Sequence, residues 1–290
     1  MSAADTAATP PQAARSRWAE TLAALCRSGS FLVGGAIVAF WIVCALFGEH
    51  FSPYDPLAND IINSFAPPSA EHWFGTDQLG RDVFSRVIVG SRDILTVAPL
   101  ATLLATVFGT ALGLLTGYFR GLVDDVVSRI LEAFMAIPVV IVALLAIVAL
   151  GTSKTTVILV IGLSFSPIIA RTVRSAVLSE RELDYVAAAK LRRESALHIM
   201  FIEILPNVLP PILVEATVRL GYAIFAVATL SFIGFGIQPP SPDWGLSVSE
   251  NYGMIGGGFW WTVLFDAVAI ATLVVGVNLM ADGFQGALDD

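Results

Sequence analysis

The sequence predicts an all-α membrane protein that crosses the bilayer six times, with both termini in the cytoplasm. Of its 290 residues, 56% are hydrophobic and 14% are charged, whereas soluble domains average about 45–50% apolar and about 25% charged residues. Six apolar runs approach the roughly 20 residues that a helix needs to cross the hydrocarbon core. Lys and Arg concentrate in alternate loops, which indicates the orientation.

Each apolar run is interpreted as one transmembrane helix. The runs cover Phe31 to Phe47, Ile94 to Tyr118, Ile130 to Leu150, Thr156 to Ile169, Pro210 to Phe232 and Trp260 to Leu279. Pro167 removes a backbone donor and predicts a kink or an early end in the fourth helix. The first run is not interpreted as a signal peptide, because its leader is long and no Ala-x-Ala site follows it.

With a cytoplasmic N-terminus, eleven of the 16 Lys and Arg residues lie in inside segments and four in outside segments. The chain then divides into a cytoplasmic tail at 1–30, the first helix at 31–47, an extracytoplasmic segment at 48–93, a five-helix domain at 94–283 with a cytoplasmic loop at about 172–207, and a cytoplasmic tail at 284–290. Nine acidic residues lie in the outside segments. We therefore expect the acidity of the chain to belong mainly to its outer face.

Composition also excludes several classes of function. A net charge of −8 argues against nucleic acid as a partner. The two cysteines and three histidines lack the spacing of a metal site. Neither Lys154 nor Lys190 follows a glycine, as the lysine of a phosphate-binding P-loop does. We expect no catalytic residue, metal or cofactor on this chain.

Three glycines share one face of the second predicted helix. Gly109, Gly113 and Gly117 recur every fourth residue, and small residues at this spacing allow another backbone to approach closely. Tight packing and a glycine-hinged moving helix are both compatible with the pattern.

Charged residues occur inside two predicted spans, where they are costly and indicate a functional site. Glu215 and Arg219 are four residues apart on the fifth helix, and Asp266 lies in the sixth without a local partner. One interpretation is a structural ion pair with an acid near the outer interface. The other is the wall of a polar substrate pathway.

The cytoplasmic loop contains two amphipathic elements. Leu183 to Leu191 predicts a short helix, and Arg192 to Glu194 a polar turn. A second helix is predicted from Ser195 to Pro206. Its apolar stripe consists of Leu197, Met200, Phe201, Ile204 and Leu205. The pair suits either a lipid surface or docking to a soluble partner.

A resemblance favours docking. The run LDYVAAAKLRRESALHIMFIEILPN resembles the EAA loop of the membrane subunits of binding-protein-dependent ABC importers. Two positions depart from that pattern, because Ala187 stands where the family has Glu and Arg193 where it has Gly. The resemblance implies that an ATPase contacts this loop. Its residues are Asp184, Tyr185, Ala187, Ala188, Ala189, Lys190, Arg192, Arg193, Glu194, Leu205 and Pro206.

Further runs resemble the second permease of dipeptide and oligopeptide importers. They are HWFGTDQLGRDVFSRVIVGSRDIL, LSFIGFGIQPPSPDWG and NLMADGFQGALDD. In the first run, Asp77 with Arg81 and Asp82 with Arg86 are spaced to form local ion pairs. These outer runs suit either a surface lid or a seat for a substrate-delivering protein. The resemblance implies a di- or oligopeptide cargo, while nickel, glutathione and other small solutes stay open.

The resemblance implies a type I ABC importer permease fold in the inner or plasma membrane, working by alternating access. It also implies a homologous second permease, two ABC ATPase subunits or domains that hold ATP and Mg²⁺, and an extracytoplasmic peptide-binding protein. A stand-alone secondary transporter is disfavoured because the sequence shows no internal repeat. A membrane-embedded enzyme is disfavoured because His and Cys are sparse.

Overall fold

The computed structural model describes the backbone of residues 24–289 and side chains as far as residue 287. Most of the predicted cytoplasmic tail at 1–30 therefore lies outside the described residues, as do Arg15 and Arg17. The described part is helical, with no strand beyond an isolated bridge between Thr76 and Asp82. Its helices are α1 Gly29–Phe51, α2 Val83–Tyr118, α3 Leu122–Met135, α4 Val139–Leu150, α5 Lys154–Glu180, α6 Asp184–Leu191, α7 Ala196–Phe232, α8 Trp244–Asn251 and α9 Trp261–Asp289.

Five helices, α1, α2, α5, α7 and α9, are long and apolar enough to cross a membrane, and α3 with α4 make up to a sixth span. We call the end of the bundle that carries α6 the inner end and the opposite end the outer end. The predicted all-α membrane fold is confirmed.

The third predicted span, Ile130 to Leu150, is wrong as a single straight helix. The chain bends by 89° between α3 and α4. Pro138 has no N–H to donate and disfavours helical geometry at Ile137, so the two helices separate there. The twelve residues of α4 extend about 18 Å, which is less than the hydrocarbon thickness of about 30 Å.

Proline ends neither α5 nor α7. Of the two alternatives predicted at Pro167, the early end is wrong, and the helix predicted from Ser195 to Pro206 continues beyond Pro206. In α5, the hydroxyl of Ser166 donates to the carbonyl of Leu163 at 2.9 Å, which satisfies the acceptor that Pro167 leaves free. Before Pro206, α7 widens into a π-helical turn at Ile199–Ile204, and the Leu205 amide donates to the carbonyl five residues back. The predicted 172–207 loop therefore consists of the end of α5, α6 and the start of α7.

The second helix begins earlier than predicted, at Val83 rather than Ile94. Asp82 is its N-cap, and one carboxylate oxygen accepts the Ser85 amide at 2.8 Å and the Ser85 hydroxyl at 2.7 Å. The outer segment between α1 and α2 is accordingly shorter than the predicted 48–93.

Close packing of α2 against α5 forms the centre of the bundle. A Cβ added to Gly113 would lie 2.5 Å from the Cβ of Val173 and 2.7 Å from the carbonyl oxygen of Ala170. Added at Gly109 or Gly117, it would lie 2.7 Å from the nearest α5 atom. The stripe of glycines therefore faces α5, where a methyl group would not fit.

Candidate functional site

The segment at the inner end is built around α6, which is held between α5 and α7. Val186 and Ala189 are fully buried, in one apolar cluster with Val177 of α5 and with Ile199 and Ile204 of α7. The opposite face of α6 is open, because Asp184, Ala187 and Lys190 are exposed. A buried face and a free face give α6 a fixed position and an accessible surface.

A Schellman motif ends α6. Its Arg193 has a φ of 58°, in the left-handed region. The Arg193 amide donates to the carbonyl of Lys190 at 3.0 Å, and the Glu194 amide donates to the carbonyl of Ala189 at 3.2 Å. Glycine is favoured at such a position, which accounts physically for the glycine in the family pattern.

Ion pairs link this turn to α7. The Arg192 guanidinium donates to Glu194 at 2.7 Å and to Glu203 at 3.0 Å. Its hydrogen bond to Glu194 raises the pKa of Arg192 and lowers that of the Glu194 carboxyl. The His198 ring lies 3.4 Å from the other Glu194 oxygen.

Tyr185 ties α6 to both neighbouring helices. Its hydroxyl donates to Glu180 at the end of α5 at 2.6 Å and accepts from the Asn207 amide group of α7 at 3.2 Å. Burial and the hydrogen bond to Glu180 raise the pKa of Tyr185 to about 12. The phenol therefore stays protonated and keeps donating at physiological pH.

Arg181 was not identified from the sequence. Its guanidinium donates to the carbonyls of Gly117 and Tyr118, at 3.3 and 2.7 Å, and so caps the C-terminus of α2. The two partners lie more than 60 positions earlier in the chain. No local spacing signals this contact.

The predicted apolar stripe of the second helix is only partly buried. Met200 and Ile204 are buried and Leu205 is half-buried, but Leu197 and Phe201 are exposed. The π-helical turn causes the difference, because it changes the angular spacing that an α-helix would give. We call the exposed apolar side chains of α6 and the start of α7 the inner apolar surface. Its members are Leu191, Leu197, Phe201 and Ile202.

The charges predicted inside the spans have different surroundings. Arg219 donates to Glu215 at 2.5 Å, both side chains are half-buried, and the guanidinium lies 5.0 Å from the Tyr222 ring centroid. Asp266 is buried at the outer end, within electrostatic range of Arg86. It therefore does not share a site with the Glu215–Arg219 pair.

A buried ionic network joins the outer loops. Arg81 donates to Asp77 and to Glu250, both at 2.6 Å, which realises the predicted Asp77–Arg81 pair. The predicted pair of Asp82 with Arg86 is wrong. Asp82 caps α2 and its second oxygen lies 2.9 Å from the His72 ring, so Arg86 turns to the Ser247 hydroxyl of α8, at 2.8 Å.

Asp243, also at the outer end, is fully buried and caps α8 by accepting the Leu246 amide at 2.9 Å. Desolvation raises the pKa of this carboxyl to about 6. Trp244 beside it is buried and donates its indole N–H to the carbonyl of Val87 in α2 at 2.8 Å. These contacts hold α8 against the outer part of α2.

Comparison with known proteins assigns the chain to a family. Residues 109–290 match the profile described as binding-protein-dependent transport system inner membrane component. The chain belongs to this family. Residues 16–68 of the permease also match the N-terminal transmembrane domain of oligopeptide transport permease C. The permease is therefore a multi-pass membrane component of a transport system.

Curated relatives cover nearly the whole permease. It is 38% identical to the dipeptide transport system permease protein DppC of Alkalihalophilus pseudofirmus, over 97% of this chain and 93% of that protein. It is 36% identical to DppC of Bacillus subtilis, over 89% and 81%. The probable D,D-dipeptide transport system permease protein DdpC of Escherichia coli is 35% identical, over 89% and 86%.

A solved structure has the same fold. A chain from the inward-facing MetNI methionine ABC transporter superposes with a TM-score of 0.58 and 21% sequence identity, over 70% of the permease and 96% of that chain. The ABC importer permease fold expected from the sequence is thus confirmed.

Proposed function

We propose that this chain is one of two membrane permeases in an ATP-driven importer of di- and oligopeptides. An extracytoplasmic binding protein delivers the peptide, and separate ABC ATPase subunits or domains hold ATP and Mg²⁺. The names of the curated relatives support a peptide cargo. The observation that carries the coupling role is α6, a short helix fixed on its α5 and α7 side and open on the other.

The inner apolar surface lies beside α6 and supports docking to a protein. Leu191 and Leu197 are 85% and 65% exposed at the end of the bundle, and exposed apolar groups grouped together mark interaction sites. Tyr185 of α6 is hydrogen-bonded to α5 and α7, and Arg181, just before α6, is hydrogen-bonded to the end of α2. A displacement of α6 by the ATPases would therefore move three spanning helices, as alternating access requires.

Cysteine crosslinking and reconstituted uptake test this proposal. We expect Ala187→Cys on the free face of α6 to crosslink to a co-expressed ATPase carrying an introduced cysteine. Ile62→Cys, at an exposed outer position, is the matched control and should not crosslink. In proteoliposomes, peptide uptake should require ATP, both permeases and the binding protein. Uptake by this chain alone on an ion gradient would contradict the proposal.

A further inference from the structure

A cavity of about 360 Å³ lies beside the bend between α3 and α4. Its volume falls in the range of about 300–1,000 Å³ that is usual for small-molecule sites. Leu131, Met135 and Pro167 give it apolar walls, while Glu132, Arg171 and Arg174 contribute charged groups. The cavity is therefore lined by both apolar and charged surface, contributed mainly by the facing helices α3 and α5.

Two of the three charged residues have no partner among the residues that the structure describes. Arg174 donates to both carboxylate oxygens of Asp124 at 2.6 Å, and the two charges neutralise each other. Within residues 24–287, by contrast, neither Glu132 nor Arg171 forms an ion pair or a side-chain hydrogen bond. The cavity thus presents one unpaired acid and one unpaired base.

Arg171 lies near the inner end of α5. Arg171 follows Lys154, which pairs with Asp93 at the outer end, by about 26 Å along the α5 axis. Its side chain and that of Glu132 are both exposed. A charged side chain on a spanning helix faces water or a partner, so both groups are accessible to a polar ligand in the cavity.

We propose that the cavity binds a small zwitterionic peptide. The Glu132 carboxylate accepts hydrogen bonds from the peptide's ammonium group, and the Arg171 guanidinium donates to its carboxylate in the two-bond geometry that arginine favours. The apolar walls contact an aliphatic side chain. Thr172, the next residue on α5, lies 3.4 Å from Glu215 of α7. The inference rests on the proposed peptide cargo.

Protection of an introduced cysteine tests this site. Met135→Cys in the cavity wall is combined with Cys26→Ser and Cys44→Ala, and the permease is purified with its partner subunits in nanodiscs free of phosphatidylethanolamine. Alkylation by a maleimide is timed with and without alanyl-leucine. We expect saturating alanyl-leucine to slow alkylation about tenfold. N-acetyl-alanyl-leucine lacks the free ammonium group and alanyl-leucinamide lacks the free carboxylate, so each should protect only at concentrations about tenfold higher.

Two variants assign the ends of the peptide. In Glu132→Gln, the site should no longer prefer a peptide with a free ammonium group but should still prefer a free carboxylate. In Arg171→Gln, the preference for the carboxylate should be lost and the preference for the ammonium group kept. Asp125→Asn and Arg129→Gln, exposed on α3 but outside the cavity lining, are matched controls that should keep both preferences. Val126→Cys, also on α3 and outside the lining, should be alkylated at the same rate with and without peptide.

Three results would overturn the proposal. The first is equal alkylation of Met135→Cys with and without peptide. The second is that both charge variants keep the ligand preferences of the parent protein. The third is protection by phosphatidylethanolamine in place of peptide, which would indicate a site for a lipid headgroup. ATP-driven uptake by the same purified complex is measured in parallel after reconstitution into proteoliposomes. Uptake without protection rejects the cavity alone, whereas failure of uptake under all conditions rejects the proposed function.

Discussion

The Arg193 amide donates to the carbonyl of Lys190 while Arg193 itself has left-handed backbone geometry. A residue with a Cβ pays about 1–2 kcal/mol for this conformation, which glycine adopts freely. Arg193→Gly should therefore raise the free energy of unfolding by about 0.5–1 kcal/mol, after the entropy that glycine loses on folding is subtracted. Thermal unfolding in detergent and hydrogen exchange of the α6 amides would measure the gain.

Arg192→Gly is the control for this substitution. Arg192 has an ordinary helical φ of −69°, so glycine relieves no strain there and removes the contacts to Glu194 and Glu203. We expect slightly lower stability. A loss of stability in Arg193→Gly comparable to that in Arg192→Gly would contradict the backbone argument.

Gly113→Ala should destabilise the bundle. The added methyl group would lie 2.5 Å from the Cβ of Val173 and 2.7 Å from the backbone of Ala170, so α2 and α5 must separate. Overpacking of this kind costs about 1–3 kcal/mol. Gly35→Ala in α1, where nothing lies within 4 Å, should be neutral or slightly stabilising. Equal unfolding midpoints for the two variants would refute close packing at the stripe.

Local patterns predicted the features that depend on neighbouring residues. Apolar runs located the five long helices, and the four-residue spacing of glycines identified the face of α2 that contacts α5. The Leu183 to Leu191 run gave the position of α6. Each of these signals lies within a single helix.

The sequence analysis missed some local exceptions and most features that depend on distant partners. Helix α5 continues through Pro167 because a Ser166 hydroxyl satisfies the freed carbonyl, and the sequence does not reveal that the surrounding helices accommodate it. Arg86 binds Ser247, 161 positions away, in preference to the nearby Asp82. The cavity with Glu132 and Arg171 lies beside the bend between α3 and α4, which the apolar run concealed.

The buried carboxyl of Asp243 should make stability depend on pH. Its pKa is about 6 in the folded protein and about 3.9 in an unfolded chain. Between these values the unfolded state releases the proton that the folded state retains. The contribution of Asp243 to the free energy of unfolding therefore falls as pH rises from about 4 to 6, by at most about 3 kcal/mol. Above about pH 6 it is constant.

Asp243→Asn isolates this effect, because asparagine keeps a carbonyl oxygen to cap α8 and does not titrate. We expect the unfolding midpoint of the wild type to fall relative to that of Asp243→Asn between pH 4 and 6, and the difference to stay constant from pH 7 to 8. Parallel curves across the whole range would show that folding leaves the pKa of Asp243 unchanged.

The Glu215–Arg219 pair supports a last prediction. Removing either charge would leave the other without its partner in a spanning helix, because the two groups are 2.5 Å apart and lie four positions apart in the chain. Glu215→Gln and Arg219→Gln should each lower stability by about 2 kcal/mol. The double variant should lose less than the sum of the two, because neither charge is then left unpaired.

Peptide uptake separates a structural pair from a pathway wall. If the pair only stabilises α7, uptake per folded transporter should be unchanged in all three variants. We expect a loss in the double variant instead, because Glu215 lies 3.4 Å from Thr172, whose neighbour Arg171 lines the cavity beside α3. Thr217→Val, at an exposed position of the same helix, is the control and should transport normally. Unchanged uptake in a stable double variant would limit the pair to a structural role.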